Sequence, residues 1–166
     1  MPKYRVVMVV LLTLLFIVSS ANAKEIKGAK VIKIIDGDSI VVHAGTENIE
    51  IRLWGIDTPE YRQPFSKAAK KLSKKLLQGQ TVDLQVKDID KYGRVVAMVN
   101  LANGENVNGI LVKRGYAWVY IYYCKEPVCD KWREYQKAAR KKKLGFWREP
   151  DPVAPWIWKK KHKRRW

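Results

Sequence analysis

Lys30-Val31-Ile32-Lys33-Ile34-Ile35-Asp36-Gly37-Asp38-Ser39-Ile40-Val41-Val42-His43 sets two β-rich runs on either side of an Asp-Gly-Asp turn. The runs Lys30 to Ile35 and Ser39 to His43 read as strands, because β-branched residues dominate both and Asp36-Gly37-Asp38 is a chain-reversing sequence. Ile49 to Leu53 follows. There Ile49, Ile51 and Leu53 alternate with Glu50 and Arg52, the period-2 signature of a third, half-buried strand.

Beyond these strands the pattern changes period. Phe65, Ala68, Ala69, Leu72 and Leu76 recur at helical spacing with lysines on the opposite face, and Gly79 stands where a C-terminal cap belongs, so a first helix is expected from about Phe65 to Leu77. Thr81 to Val86 and Arg94 to Leu101 return to strand alternation, the second closed by Asn103-Gly104. Val107 to Arg114 and Asp130 to Leu144, each followed by glycine, complete three helices. Five short strands with a helix after the third suit a Greek-key barrel of the OB-fold type, since closing the sheet leaves no exposed edge. After Pro150 the prolines argue against helix. Residues 150–166 are therefore expected to be a Pro/Trp-containing basic tail, flexible, behind a domain spanning 24–149.

The chain holds 33 Lys+Arg against 16 Asp+Glu in 166 residues, a net charge of +17. With 47% hydrophobic residues it has material for one core, which excludes a wholly disordered or collagen-like chain. The cation excess points to a polyanionic partner: nucleic acid, anionic lipid or acidic polysaccharide. At the N-terminus Lys3 and Arg5 precede a run from Val6 to Val18 that is apolar apart from Thr13, and Ala21-Asn22-Ala23 ends it in a small-x-small pattern. Residues 1–23 thus read as a secretory signal peptide cut after Ala23, because the apolar run would span only about 20 Å of the roughly 30 Å hydrocarbon core. A secreted or periplasmic protein without a membrane anchor after cleavage follows. Cys124 and Cys129 are the only cysteines, and in an oxidising compartment they are expected to pair in a local disulfide that shapes a loop. Half of a zinc site is the rival, but the only histidines are His43 and His162.

In so basic a chain, clustered acids are informative. Asp36 and Asp38 share one turn, and Asp57 and Glu60 lie in Arg52-Leu53-Trp54-Gly55-Ile56-Asp57-Thr58-Pro59-Glu60 just after the third strand. If the strands form a meander, the start of the second and the end of the third meet at one rim, and carboxylates from both segments converge there. Acids kept ionised together need a cation, and an all-oxygen set selects a hard one such as Ca2+ or Mg2+. Turn chemistry is the plainer account of the same residues.

Three pieces, Ile35-Asp36-Gly37-Asp38-Ser39, Arg52 to Glu60 and Asp90-Lys91-Tyr92-Gly93-Arg94, occur here in an order that resembles the staphylococcal-type thermonucleases, also called micrococcal nuclease-like. The resemblance runs from about Lys30 to Trp147 and implies an OB-fold with three helices that cleaves DNA and RNA with Ca2+, leaving 3′-phosphate ends. It implies that Asp38 and Asp57 bind Ca2+ through carboxylates and Thr58 through its carbonyl, with Asp36 behind them. Glu60 would position or deprotonate the attacking water, while Arg52 and Arg94 would grip the scissile phosphate with their planar forks. Lys91 and Tyr92 match nucleotide contacts, and Tyr120 and Tyr122 are the candidates for a pair of tyrosines one residue apart that lines the nucleotide site. Two departures stand out. Ser39 replaces the usual threonine, and the connection from Tyr61 to Pro64 is short where the staphylococcal enzyme has a longer lysine-rich loop.

Two other functions compete with an exported nuclease. One is a non-catalytic nucleic-acid-binding OB module, which has no use for carboxylates that repel phosphate. The other is a secreted cationic protein acting on membranes or polysaccharide through Lys159 to Trp166. A monomer is expected.

Overall fold

In the computed structural model, which describes residues 24–162, Asp36-Gly37-Asp38 turns the chain between β1 (Glu25–Ile34) and β2 (Ser39–Ala44). The expected leader lies outside the described residues. β2 pairs antiparallel with β3 (Glu47–Leu53), so that Ser39 stands opposite Arg52. The sheet continues through β5 (Thr81–Ile89) and β6 (Val95–Leu101) and closes as a barrel in the order β1-β2-β3-β6-β5, with β3 and β6 parallel and the other pairs antiparallel. The five-stranded OB-type barrel expected from the alternation is thus present. Its interior takes one face of each strand: Ile51 and Leu53 are buried, and Val82, Leu84, Ala97 and Val99 meet them. Each fully buried Leu or Ile contributes roughly 1.5–3 kcal/mol.

A two-residue strand, β4 (Ile56–Asp57), follows β3 and pairs with β7 (Trp118–Val119), a ladder that the sequence reading did not anticipate. Three helices occupy the expected places: α1 (Ser66–Leu77), α2 (Val107–Lys113) and α3 (Val128–Lys141). α1 buries Ala69, Ser73 and Leu77, one residue per turn. Ser73 is apolar neither in character nor in role. Its hydroxyl donates to the carbonyl of Gly37 at 2.5 Å, which ties the helix to the acidic turn. Trp132 of α3 is among the largest fully buried side chains and packs on Trp54.

The C-terminal segment differs from expectation. Over residues 150–162, where a flexible tail is expected from the sequence, it forms a fourth helix, α4 (Pro155–Lys161), after a short 3-10 turn at Gly145–Arg148, while residues 163–166 lie outside the described residues. Pro155 sits at the helix start, where its missing N–H has no intrahelical partner to lose, so this proline begins a helix where the sequence reading took it to forbid one. Ala154 and Pro155 are buried and Trp156 lies beside Trp118 and Tyr120, so the segment is anchored on the domain.

Candidate active site

The β2–β3 register decides where the acids go. Because Ser39 faces Arg52, the residue before β2 lies beside the end of β3, and Asp38 accepts a hydrogen bond from the Leu53 N–H on its backbone carbonyl. Gly55, with φ of +72°, turns the chain out of β3 into β4, where Asp57 comes back over Arg52. The carbonyl of Trp54 in that turn is held by the Nδ2 of Asn108, a buried residue of α2 whose Oδ1 accepts from the Val99 N–H. Asp57 is then paired with Trp118 of β7. Thr58 closes on the acidic turn so tightly that a Cβ on Gly37 would lie 2.6 Å from its hydroxyl oxygen. Only glycine fits there.

The result is a knot of charge at one rim of the barrel. Arg52 Nη2 donates to Asp57 Oδ1 at 2.6 Å, and Arg52 Nη1 lies 2.5 Å from Asp38 Oδ1. Asp38 Oδ2 accepts from both the N–H (2.6 Å) and the hydroxyl (2.8 Å) of Thr58, and Asp36 Oδ1 accepts from the Asp38 N–H. Arg52 therefore pairs with both Asp38 and Asp57.

One guanidinium does not balance these acids. Burial, then repulsion from Asp38, raises Asp57 to about 7, with Arg52 pulling the other way and Glu60 adding to the rise. Burial and Asp38 likewise raise Asp36 to about 6. For Arg52, burial alone would lower the pKa, but Asp38 and Asp57 outweigh it and keep the side chain charged.

Arg52 also belongs to a cleft of about 500 Å³, which it lines with Lys91, Tyr92, Arg94, Tyr120 and Tyr123 among others. The Asp90 carboxylate builds the turn on the far wall, accepting from the N–H groups of Tyr92 and Arg94 on one oxygen and from Arg94 Nε on the other. Slight burial of Asp90 is outweighed by these hydrogen bonds, which hold its carboxyl below the usual range. Arg94 is thereby aimed by Asp90, with Glu50 3.9 Å from its Nη1. Of the two tyrosines expected from the sequence, Tyr120 lines the cleft. Tyr122 does not. Residues 121–123 form a turn closed by hydrogen bonds to the Tyr120 carbonyl, so alternation fails and Tyr123 takes the lining position.

Glu60 stands at the edge of the rim, 2.9 Å from Lys159 Nζ of α4. Neither Lys159 nor Gln63, whose Oε1 accepts from the Glu60 N–H, carries a signal in the sequence, since the contacts cross 99 residues in one case and depend on loop shape in the other. Cys124 and Cys129 are joined by a disulfide, as expected. It lies nearer the site than a loop staple need be, since a Cβ on Gly55 would fall 2.9 Å from Cys124 Sγ.

Comparison with known proteins agrees with this geometry. The family described as "Staphylococcal nuclease homologue" matches residues 50–149. A protein of Escherichia coli named "Uncharacterized endonuclease" is 38% identical over 130 residues, covering 78% of this chain and 83% of the relative. A "Micrococcal nuclease" of Shigella flexneri is 37% identical over 142 residues, 81% of each chain. A further "Uncharacterized endonuclease", of Haemophilus influenzae, is 34% identical over 160 residues, 96% of this chain and 88% of the relative. The chain belongs to the staphylococcal nuclease family, and its OB-type barrel carries a nuclease, a hydrolase of nucleic acid.

Proposed function

We propose that this nuclease cleaves DNA and RNA endonucleolytically in a Ca2+-dependent reaction that leaves 3′-phosphate ends, acting outside the cytoplasm as a monomer. The observation that carries the reading is Arg52 held between two buried carboxylates, Asp38 and Asp57, in the wall of a cleft that Arg94 also lines. The leader-like residues 1–23 and the Cys124–Cys129 bridge support export, because disulfides persist in oxidising compartments.

The donor chemistry fits a hard cation. Asp38 and Asp57 supply carboxylate oxygens, Asp36 supports them from behind, and the Asp57 carboxyl, raised by burial and by Asp38 beside it, would be drawn into its ionised form by a cation. Among the described residues no three His, Cys, Asp or Glu side chains form a ready cage. Two carboxylates and the Thr58 carbonyl would therefore hold Ca2+ with water in its other positions, as such ions accept. When bound, the ion neutralises phosphate charge and favours hydroxide over water.

The protein's own groups do the rest. Glu60 orients a water and takes its proton as the water oxygen bonds to phosphorus. Arg52 and Arg94 donate to the non-bridging oxygens, whose charge grows in the transition state, and aligned guanidinium donors in a partly enclosed cleft are worth more there than in water. The bond to the 5′ oxygen breaks, so phosphate stays on the 3′ side and the 5′ oxygen leaves, taking a proton from solvent water to become a hydroxyl. Lys91 and the rings of Tyr92, Tyr120 and Tyr123 seat the neighbouring nucleotides by charge and stacking.

Digestion of single-stranded DNA, duplex DNA and RNA with Ca2+, with Mg2+ and with chelator tests this reading, together with end-group analysis of the products. Ca2+-dependent cleavage to 3′-phosphates is expected. Salt-sensitive binding without cleavage would replace the reading with a binding module.

A further inference from the structure

We propose that the C-terminal segment is a working part of the active site, with Lys159 and Gln63 as positioning residues that fix Glu60 for the attack on phosphate. The inference rests on the role of Glu60 given above and adds to it the groups that hold this carboxylate in place.

Glu60 lies in an irregular connection between β4 and α1, so no strand or helix fixes it. The connection is also strained. Arg62 and Phe65, both non-glycine, have φ of +67°, a conformation that persists only where surroundings enforce it. The C-terminal segment supplies those surroundings. Gln63, only 6% exposed, receives the Glu60 N–H on Oε1 at 2.9 Å and donates from Nε2 to the Val153 carbonyl at 2.7 Å, so one side chain joins the Glu60 backbone to the tail. Trp156 holds the segment down against Tyr120, which lines the substrate cleft, with ring centroids 5.1 Å apart.

From this platform Lys159 reaches Glu60 Oε1 at 2.9 Å. Among the described residues Oε2 has no hydrogen-bond or ion-pair partner, so one carboxylate oxygen is clamped and the other is free for water. Such an arrangement reduces the orientations that the glutamate samples. An exposed ion pair adds little to stability, but misplacing a reacting group by about 1 Å can cost up to about 100-fold in rate. Lys159 therefore matters to turnover far more than to folding.

The test is steady-state cleavage of a single-stranded DNA oligonucleotide at saturating Ca2+ by Lys159→Ala, Lys159→Arg and Gln63→Ala, each also combined with Glu60→Ala. Lys159→Ala is expected to lower kcat about tenfold with KM within about twofold, Lys159→Arg to restore most of the rate, and Gln63→Ala to act in the same direction. In the Glu60→Ala background, Lys159→Ala should leave the residual rate unchanged, which a general loss of structure would not do. Wild-type kcat in Lys159→Ala, a faster kcat, or a rise in KM alone would overturn the proposal, the last two by making Lys159 an inhibitory latch or a substrate contact. Should Glu60→Ala itself cleave at the wild-type rate, the role of Glu60 falls, a result distinct from failure of Lys159 alone.

Discussion

Arg52 and Asp57 are five residues apart in the chain and are joined at 2.6 Å across the Gly55 turn, so the guanidinium that ends β3 is held by the acid that the turn brings back. The same guanidinium touches Asp38. A charge so placed serves two ends at once: it offsets buried carboxylates and faces the cleft where phosphate would lie.

Removing Arg52 should therefore harm the fold as well as the reaction. Arg52→Ala leaves Asp38 and Asp57 buried together without their counterion, a change that costs about 3–5 kcal/mol. Urea melts of the metal-free protein should show this loss, and added Ca2+ should recover part of it by supplying positive charge.

The raised Asp57 carboxyl has a definite pH signature. Its folded pKa, about 7, lies above the unfolded value of 3.8, so the stability linked to it is complete below about pH 4 and is lost as pH rises through 7. Asp36 shifts in the same direction, through burial and the neighbouring Asp38. Compared with the metal-free wild type, Asp57→Asn should thus gain stability steadily between pH 4 and pH 8, by on the order of a few kcal/mol. Melts across that range check it. A constant difference would mean that Asp57 ionises normally.

Asn108 predicts a purely structural effect. Its side chain bonds Val99 N–H and the Trp54 carbonyl inside the protein, so Asn108→Ala leaves two buried groups unpaired and should cost about 3 kcal/mol. Denaturant melts measure this directly. Near-wild-type stability would mean that water replaces the amide.

The cleft walls separate the tyrosines. Tyr92→Ala and Tyr123→Ala should raise KM for single-stranded DNA by the worth of a stacked base, about 1–3 kcal/mol, with kcat little changed. Tyr122→Ala should change KM much less. Equal effects from Tyr122 and Tyr123 would place the nucleotide over the aromatic turn instead of in the cleft.

How much of this was legible beforehand depends on the range of each interaction. Ile49, Ile51 and Leu53 alternate because one face of β3 fills the barrel, and the Asp36-Gly37-Asp38 turn fixes the β1–β2 reversal, so the rim where Asp38 meets Arg52 could be read from local pattern. Tyr123 could not. Its position comes from a turn that interrupts the expected alternation. Pro155 reads as a helix breaker by residue type, whereas at a first helical position proline is neutral or favourable, so the helix of the tail is not legible locally. Ser73 and Gln63 escaped notice for a related reason. Polar residues on a helix face or in a loop give no periodic signal, and their partners, Gly37 and Val153, are 36 and 90 residues away.

Whether the acids and arginines at the barrel rim form a metal-assisted phosphodiesterase site with Glu60 acting on the water is decided by the rate of DNA cleavage by Glu60→Gln at saturating Ca2+, with folding checked by circular dichroism. A folded protein that still binds DNA and cleaves it about 100-fold or more slowly is expected. A folded Glu60→Gln variant cleaving at close to the wild-type rate would contradict this role of Glu60.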